Sequence, residues 1–205
     1  MVNWAALGAV SLIYAAGVVI PGPNFVAVAH KAVAATKAQA LMLVAGIVVV
    51  NLFWAACAIL GIGVVFAAFP WLALVIKVAG AGYLIWFGSR LIIASGQQAV
   101  STPQVNASGL RQAFFQGVIT NIGNPKAIAF FAAIFSAATP PHLDVATFIA
   151  MLGVVGVMAT VWYGFVALTL SHPRIAAAYR RRKKWIDRVC GALIVGLGVR
   201  MAVRS

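Results

Sequence analysis

The 205-residue chain is 64% hydrophobic and only 8% charged, with a mean hydropathy of +1.04 and a formal net charge of +13. Soluble domains carry about a quarter charged residues, so this composition is membrane-class and leaves no room for a soluble domain. A charge of +13 looks like a nucleic-acid signature, but its distribution argues against that partner, and no aromatic residues interleave the basic run for base stacking.

In chain order the apolar runs predict six spans, over 4–29, 40–69, 71–95, 113–138, 146–170 and 185–203, the last being the shortest. Crossing the hydrocarbon core takes about 20 such residues. The first run is expected to be retained: Ala27-Val28-Ala29 resembles a cleavage site, but residues 1–4 carry no Lys or Arg and the run is too long for a signal segment. A polar stretch, 96–111, separates three spans from three. Three is odd, so the second half enters the membrane in the opposite sense. The expected fold is an all-α membrane protein, a single transmembrane domain over 1–205. It divides into inverted three-helix repeats, 1–95 and 112–205, joined by a cytoplasmic linker at 96–111.

Charge sets the orientation. Lys31 and Lys37 lie between the first two spans, Arg90 and Arg111 flank the linker, and Arg174 and Arg180-Arg181-Arg182-Lys183-Lys184 lie in what reads as a non-helical loop between spans five and six. The alternate loops are poor in Lys and Arg, and Lys77 reads as a snorkelling residue near the outer end of span three. Positive loops stay inside, so both termini are expected outside, with the basic run on anionic lipid headgroups.

Two spans are broken. Pro21-Gly22-Pro23-Asn24 interrupts the first, and Asn121-Ile122-Gly123-Asn124-Pro125-Lys126 interrupts the fourth. Proline lacks an N–H and clashes with the carbonyl four residues back. In lipid, a broken helix is tolerated only where protein or a water-filled cavity satisfies the freed groups. Breaks at corresponding places in two halves point to a transporter's binding site near the midplane. Gly22 and Gly123, beside the breaks, are expected to serve an unusual backbone dihedral. The other span glycines are expected to serve close helix contact, and their faces leave room for a homodimer.

The polar groups near these breaks are the candidate substrate-binding residues: Pro21, Gly22, Pro23, Asn24, Asn51, Asn121, Asn124, Pro125 and Lys126. Lys126 lies about 12 residues, close to 18 Å, from either end of its span, too deep to snorkel easily. Its two readings as a buried cation are a substrate carboxylate as counter-charge or freed carbonyls as ligands; a third reading moves the span boundary. The two acidic side chains, Asp144 and Asp187, are both placed at the membrane surface, so no carboxylate within the membrane is expected. Asn24 and Asn124 either cap the half-helices or contact substrate, and Asn51 either bonds across helices or lines the site. Half-helix N-termini offer N–H groups to an anion, and the preceding ends offer carbonyls to a cation, which together suit a zwitterion. Tyr14, Thr120, Thr160 and Tyr163 are expected to pack. His30 is a proton-coupling candidate, since imidazole changes charge near neutral pH. His142 and His172 read as surface residues. Free Cys57 and Cys190 read as small hydrophobes.

These residues resemble the lysine exporter (LysE/RhtB) superfamily of bacterial amino-acid and homoserine/threonine exporters. The likeness lies in Pro21-Gly22-Pro23-Asn24, in Gly117 with Asn121 to Ala127 and Phe130-Phe131, and in Gly80-Ala81-Gly82-Tyr83-Leu84 with Gly88. It implies efflux of amino acids or close derivatives across the bacterial cytoplasmic (inner) membrane, driven by protons, with site roles at Pro21, Gly22, Pro23, Asn24, Asn124, Pro125 and Lys126. One departure stands out: Ala35-Thr36-Lys37 replaces a glycine common in relatives; in span two, where many carry an acidic or amide residue, this chain has Asn51. The resemblance does not fix the substrate.

The expected function is thus a secondary exporter of small zwitterions, working by alternating access without cofactor or metal. A passive channel is the alternative, and an intramembrane thiol conduit through Cys57 and Cys190 a lesser one. No metal-ligand pair of His with Glu, no Gly-x-Ser-x-Gly and no acid pair speaks for an enzyme.

Overall fold

The computed structural model describes residues 2–62, 69–95, 109–131 and 144–203. Within them the chain is helical. In chain order the helices are α1 (Trp4–Val19), α2 (Pro23–Ala34), α3 (Lys37–Cys57), α4 (Pro70–Ala94), α5 (Leu110–Ile122), α6 (Pro125–Ala129), α7 (Val145–Leu170) and α8 (Pro173–Val203). A π-helical turn, Ala58–Ile62, continues α3.

Local chemistry sets the starts. Asn3 caps α1 by accepting from Ala6 N, Thr36 and Gln39 form a capping box on α3, and Asp144 caps α7 by accepting from Thr147 N. Helices α2, α4, α6 and α8 each begin at a proline, where the missing N–H costs nothing.

α3 and α7 are each long and apolar enough to cross a membrane, and α1 with α2 makes a third such unit, bent by 56° at the break. Large apolar side chains such as Leu12, Val157, Val161 and Phe165 are exposed on these helices. Exposed apolar surface of this extent fits lipid rather than water.

Helix α3 sits centrally, against α2, α5 and α7, while α4 packs along α8. Both tight seams are made by reciprocal glycines. A Cβ on Gly46 would collide with Phe114 O, and one on Gly117 with Leu43 O. Likewise a Cβ on Gly88 would stand 2.6 Å from Gly191 O, and one on Gly191 2.7 Å from Gly88 O. Backbone thus meets backbone, the close approach that drives helix association in lipid. The core between α1, α2, α3 and α7 is filled by Val10, Leu43, Ile47, Met151 and Val155, all at 0% exposure.

The two ends of the bundle are tied differently. At one end Asn3 N donates to Thr147 Oγ1. At the other, Ser171 Oγ donates to Ala32 O, Arg180 to Val33 O, Arg188 to Ser95 Oγ and Lys31 to Gln116 Oε1.

Two expectations need correction. The basic run Arg180 to Lys184 is not a loop, for α8 starts at Pro173 and runs through it without interruption. Hydropathy alone missed this helix because the charged stretch is amphipathic, with Ala176, Tyr179, Asp187, Cys190 and Ile194 buried along one face. Asp187 is 2% exposed within the protein and paired with Lys183 and His30. Finally, Gly22 and Gly123 have φ of −159° and −88°, so neither needs a left-handed conformation. Residues 96–108 of the linker expected at 96–111, the end of span two over 63–68, and residues 132–143, with His142, lie outside the described residues, as does the side chain of Lys77.

Candidate functional site

The two breaks meet. Proline at 21 leaves Gly17 O without its usual i+4 donor, and the extended backbone at Ile20 frees a second carbonyl. Lys126 reaches across from α6 and donates Nζ to both, at 3.0 Å to Gly17 O and 2.5 Å to Ile20 O. Of the two readings of this lysine as a buried cation, the carbonyl ligands are those present here. Gly22 explains itself the same way. A Cβ there would stand 2.9 Å from Lys126 Cδ, so glycine makes way for the lysine stem.

Around this contact the asparagines form one network. Asn24 Nδ2 donates to Asn121 Oδ1 at 2.8 Å, and Asn124 Nδ2 donates to Asn24 Oδ1 at 3.0 Å. Asn121 Nδ2 donates to Ile47 O at 2.8 Å and to Asn51 Oδ1 at 2.9 Å. All four side chains are buried, Asn121 completely. Asn124 also caps α6 by accepting from Lys126 N, whereas Asn24 caps nothing, since Gly22 is the N-cap of α2. Buried amides need partners, and here they supply one another across four helices.

Beside the network lies a cavity of about 30 Å³, lined by Asn24, Asn51, Asn124, Lys126, Gly17 and Gly22 and walled by Tyr14, Phe130, Phe131 and Tyr163. Tyr14 packs edge-on to Phe130, with ring centroids 5.9 Å apart, and meets Phe131 at 6.0 Å. Such a volume admits a water or two and falls well short of the roughly 300 Å³ of a small-molecule pocket. Loading a larger solute therefore requires the helices to move.

The expected site residues Gly22, Asn24, Asn51, Asn124 and Lys126 line this cavity. Asn121 stands behind it as the hub of the network, and Pro21, Pro23 and Pro125 shape the breaks. Tyr14 and Tyr163, expected only to pack, line the cavity as well. Thr160 is exposed, and Thr120 donates to Gln116 O within its own helix. Cys57 and Cys190 are free thiols and neither lines the cavity.

Comparison with known proteins identifies the family. The profile of the LysE type translocator family matches residues 15–205. A threonine efflux protein of Escherichia coli (strain K12) is 32% identical over 197 residues, covering 95% of this chain and 96% of its own. One from Salmonella typhi is 29% identical over the same shares. The uncharacterized membrane protein YahN of E. coli is 27% identical over 88% of this chain and 82% of its own. No solved structure matches. The relatives named for a function are transporters, not enzymes. The chain belongs to the LysE type translocator family of membrane transport proteins.

Proposed function

We propose that this protein is a proton-coupled exporter of amino acids or close zwitterionic derivatives in the bacterial inner membrane, with threonine the first solute to test, given the relatives' names. The observation that carries the reading is the meeting of both broken helices at one cavity lined by the Lys126 ammonium and three amides, with the two helix-end carbonyls that the ammonium binds beside it. The ammonium and amide N–H groups suit a substrate carboxylate, and the carbonyls suit its ammonium group. Pro21, Gly22, Pro23, Asn24, Asn51, Asn121, Asn124, Pro125 and Lys126 form or shape this site.

The helices divide into repeats of α1–α4 and α5–α8 about the linker, which ends at Gly109, the N-cap of α5. The packing supports this. An inverted two-fold exchanges the α3–α5 contact with those of α7 with α1 and α2, and maps the α3–α7 and α4–α8 contacts onto themselves. Six spans, with both termini outside and Lys31, Arg174 and Arg180 to Lys184 facing the cytoplasm, follow from this division. Alternating access arises as the repeats rock about the cavity, which is too small to load in the conformation described.

Transport in proteoliposomes under an imposed pH gradient, with a panel of amino acids beside Lys126→Ala, tests the reading. Accumulation that follows the gradient and vanishes in a folded, inserted Lys126→Ala is the expected result. Downhill flux that never accumulates would make the protein a channel instead. Normal flux from the variant would remove Lys126 from the site.

A further inference from the structure

At the basic end of the bundle lies a second cluster of ionisable groups, away from the cavity. Asp187 of α8 is 2% exposed, and Lys183, one turn earlier, donates to its Oδ2. Facing it from α2 is His30, whose Nε2 is buried without a hydrogen bond and lies 3.5 Å from Asp187 Oδ1. Tyr179 and Cys190 share that face of α8. Other polar groups nearby are engaged elsewhere: Arg188 with Ser95 of α4, Arg180 with Val33 O, Ser171 at the end of α7 with Ala32 O, Lys31 with Gln116 of α5, and Arg90 of α4 over Trp86. Among the described residues, the side chains paired with Asp187 are thus His30 and Lys183, while Tyr179 and Cys190 lie close enough to feel its charge.

A carboxylate removed from water must be paired. Lys183 alone balances its charge within α8, so His30 is not needed for neutrality. What His30 adds is a link to another helix that depends on its proton. With a proton on each ring nitrogen, the 3.5 Å approach becomes a charge-assisted hydrogen bond from α2 to α8. Imidazole makes that change of charge between pH 5 and 8. α2 is a single helix of 12 residues. Asn24 in its first turn belongs to the cavity network, and His30 follows six residues on, about 9 Å along the axis. One stiff element therefore touches both places.

We propose that His30 and Asp187 form a proton-binding site that latches α2 to α8 and couples proton uptake at the basic end to the cavity. The proposal rests on the exporter reading. The step is a proton transfer alone: water at the basic end supplies a proton to the His30 ring, and its release restores the neutral ring and the Asp187–Lys183 pair.

Two measurements test it. The chain has three histidines, so in ¹⁵N-histidine-labelled protein the imidazole signals can be titrated one by one, with His30 assigned by its loss in His30→Gln. The His30 midpoint is expected to move in opposite senses, down in Asp187→Asn and up in Lys183→Met, the directions set by losing an opposite and a like charge. A midpoint unmoved in both variants overturns the site, whatever the protein transports. In proteoliposomes with radiolabelled L-threonine and an imposed gradient of about one pH unit, the ratio of accumulation to threonine exchange is expected to fall about tenfold in His30→Gln, the factor such a gradient drives through one coupled proton. A merely structural loss lowers accumulation and exchange alike and overturns the coupling. Wild-type protein showing neither activity overturns the threonine reading and the coupling with it, while the titration still decides the proton site.

Discussion

Replacing Asn121 by alanine removes the hub of the polar network. Three hydrogen bonds go: those from Asn121 Nδ2 to Ile47 O and Asn51 Oδ1, and that from Asn24 Nδ2 to Asn121 Oδ1. Interhelical hydrogen bonds within membranes average about 0.6 kcal/mol and reach about 1.7. Asn121 is fully buried, so Asn24 Nδ2 and Asn51 Oδ1 lose partners where water has little access, which pushes the cost toward the upper part of that range. The sum is about 2–3 kcal/mol. For a chain of this length that lowers Tm by roughly 4–12 °C, at about 2–4 °C per kcal/mol. Thermal unfolding of purified protein in detergent reads it, with Gln116→Ala as control, since the Gln116–Lys31 bond is exposed and worth little. A cycle with Asn51→Ala should return a coupling of about 0.5 kcal/mol or more, because the two amides are bonded. Asn121→Ala melting within about a degree of wild type would show that the network carries no such energy and that these amides are not held as described.

Further predictions concern other positions. Asn24→Ala and Asn124→Ala should lower threonine flux in proteoliposomes, less severely than Lys126→Ala, because each leaves the lysine on its carbonyls; unchanged flux in all three would move the site elsewhere. Gly117→Ala should destabilise the protein by about 1–3 kcal/mol through overpacking, since its Cβ meets Leu43 O and helix backbone cannot give way, whereas Gly8→Ala, with open space around it, should not; equal Tm values would refute the seam. The Asp144 carboxyl is held below the usual carboxylate range, first by the Thr147 backbone N–H that it accepts from. Its contribution is therefore full above the ordinary pKa near 4 and is lost as pH falls through the lower native value. Asp144→Asn, which retains a capping oxygen, should flatten that acid limb of a Tm-versus-pH curve, and an unchanged limb would place the acid sensitivity in another group.

The breaks were legible because proline acts locally: Pro21, Pro23 and Pro125 each fix a helix boundary without reference to anything distant. Polar residues next to those prolines pointed to the cavity for the same reason. What the sequence could not show was which groups meet. Asn24 finds Asn121 across 97 positions, and Lys126 finds Gly17 O across 109. The first half of α8 was misread as a loop because the run Arg180 to Lys184 depresses hydropathy over the whole segment, hiding a helix that is polar on one side only. A signal was present in its spacing. Tyr179, Lys183, Asp187, Cys190 and Ile194 recur at intervals of three and four, which places them on one helical face. Tyr14 and Tyr163 carried no comparable mark, since an aromatic residue in an apolar span looks alike whether it faces a cavity or a neighbour.

The glycine seams and the cavity wall are built from different residues. Assembly of α3 with α5 and of α4 with α8 depends on Gly46, Gly117, Gly88 and Gly191, where nothing larger fits. The cavity wall is made instead by Tyr14, Phe130, Phe131 and Tyr163, none of which enters those seams. Frame and cavity wall can therefore vary independently. On the proposed reading, a change of ring size or polarity at the wall alters which solute fits while every helix keeps its neighbour.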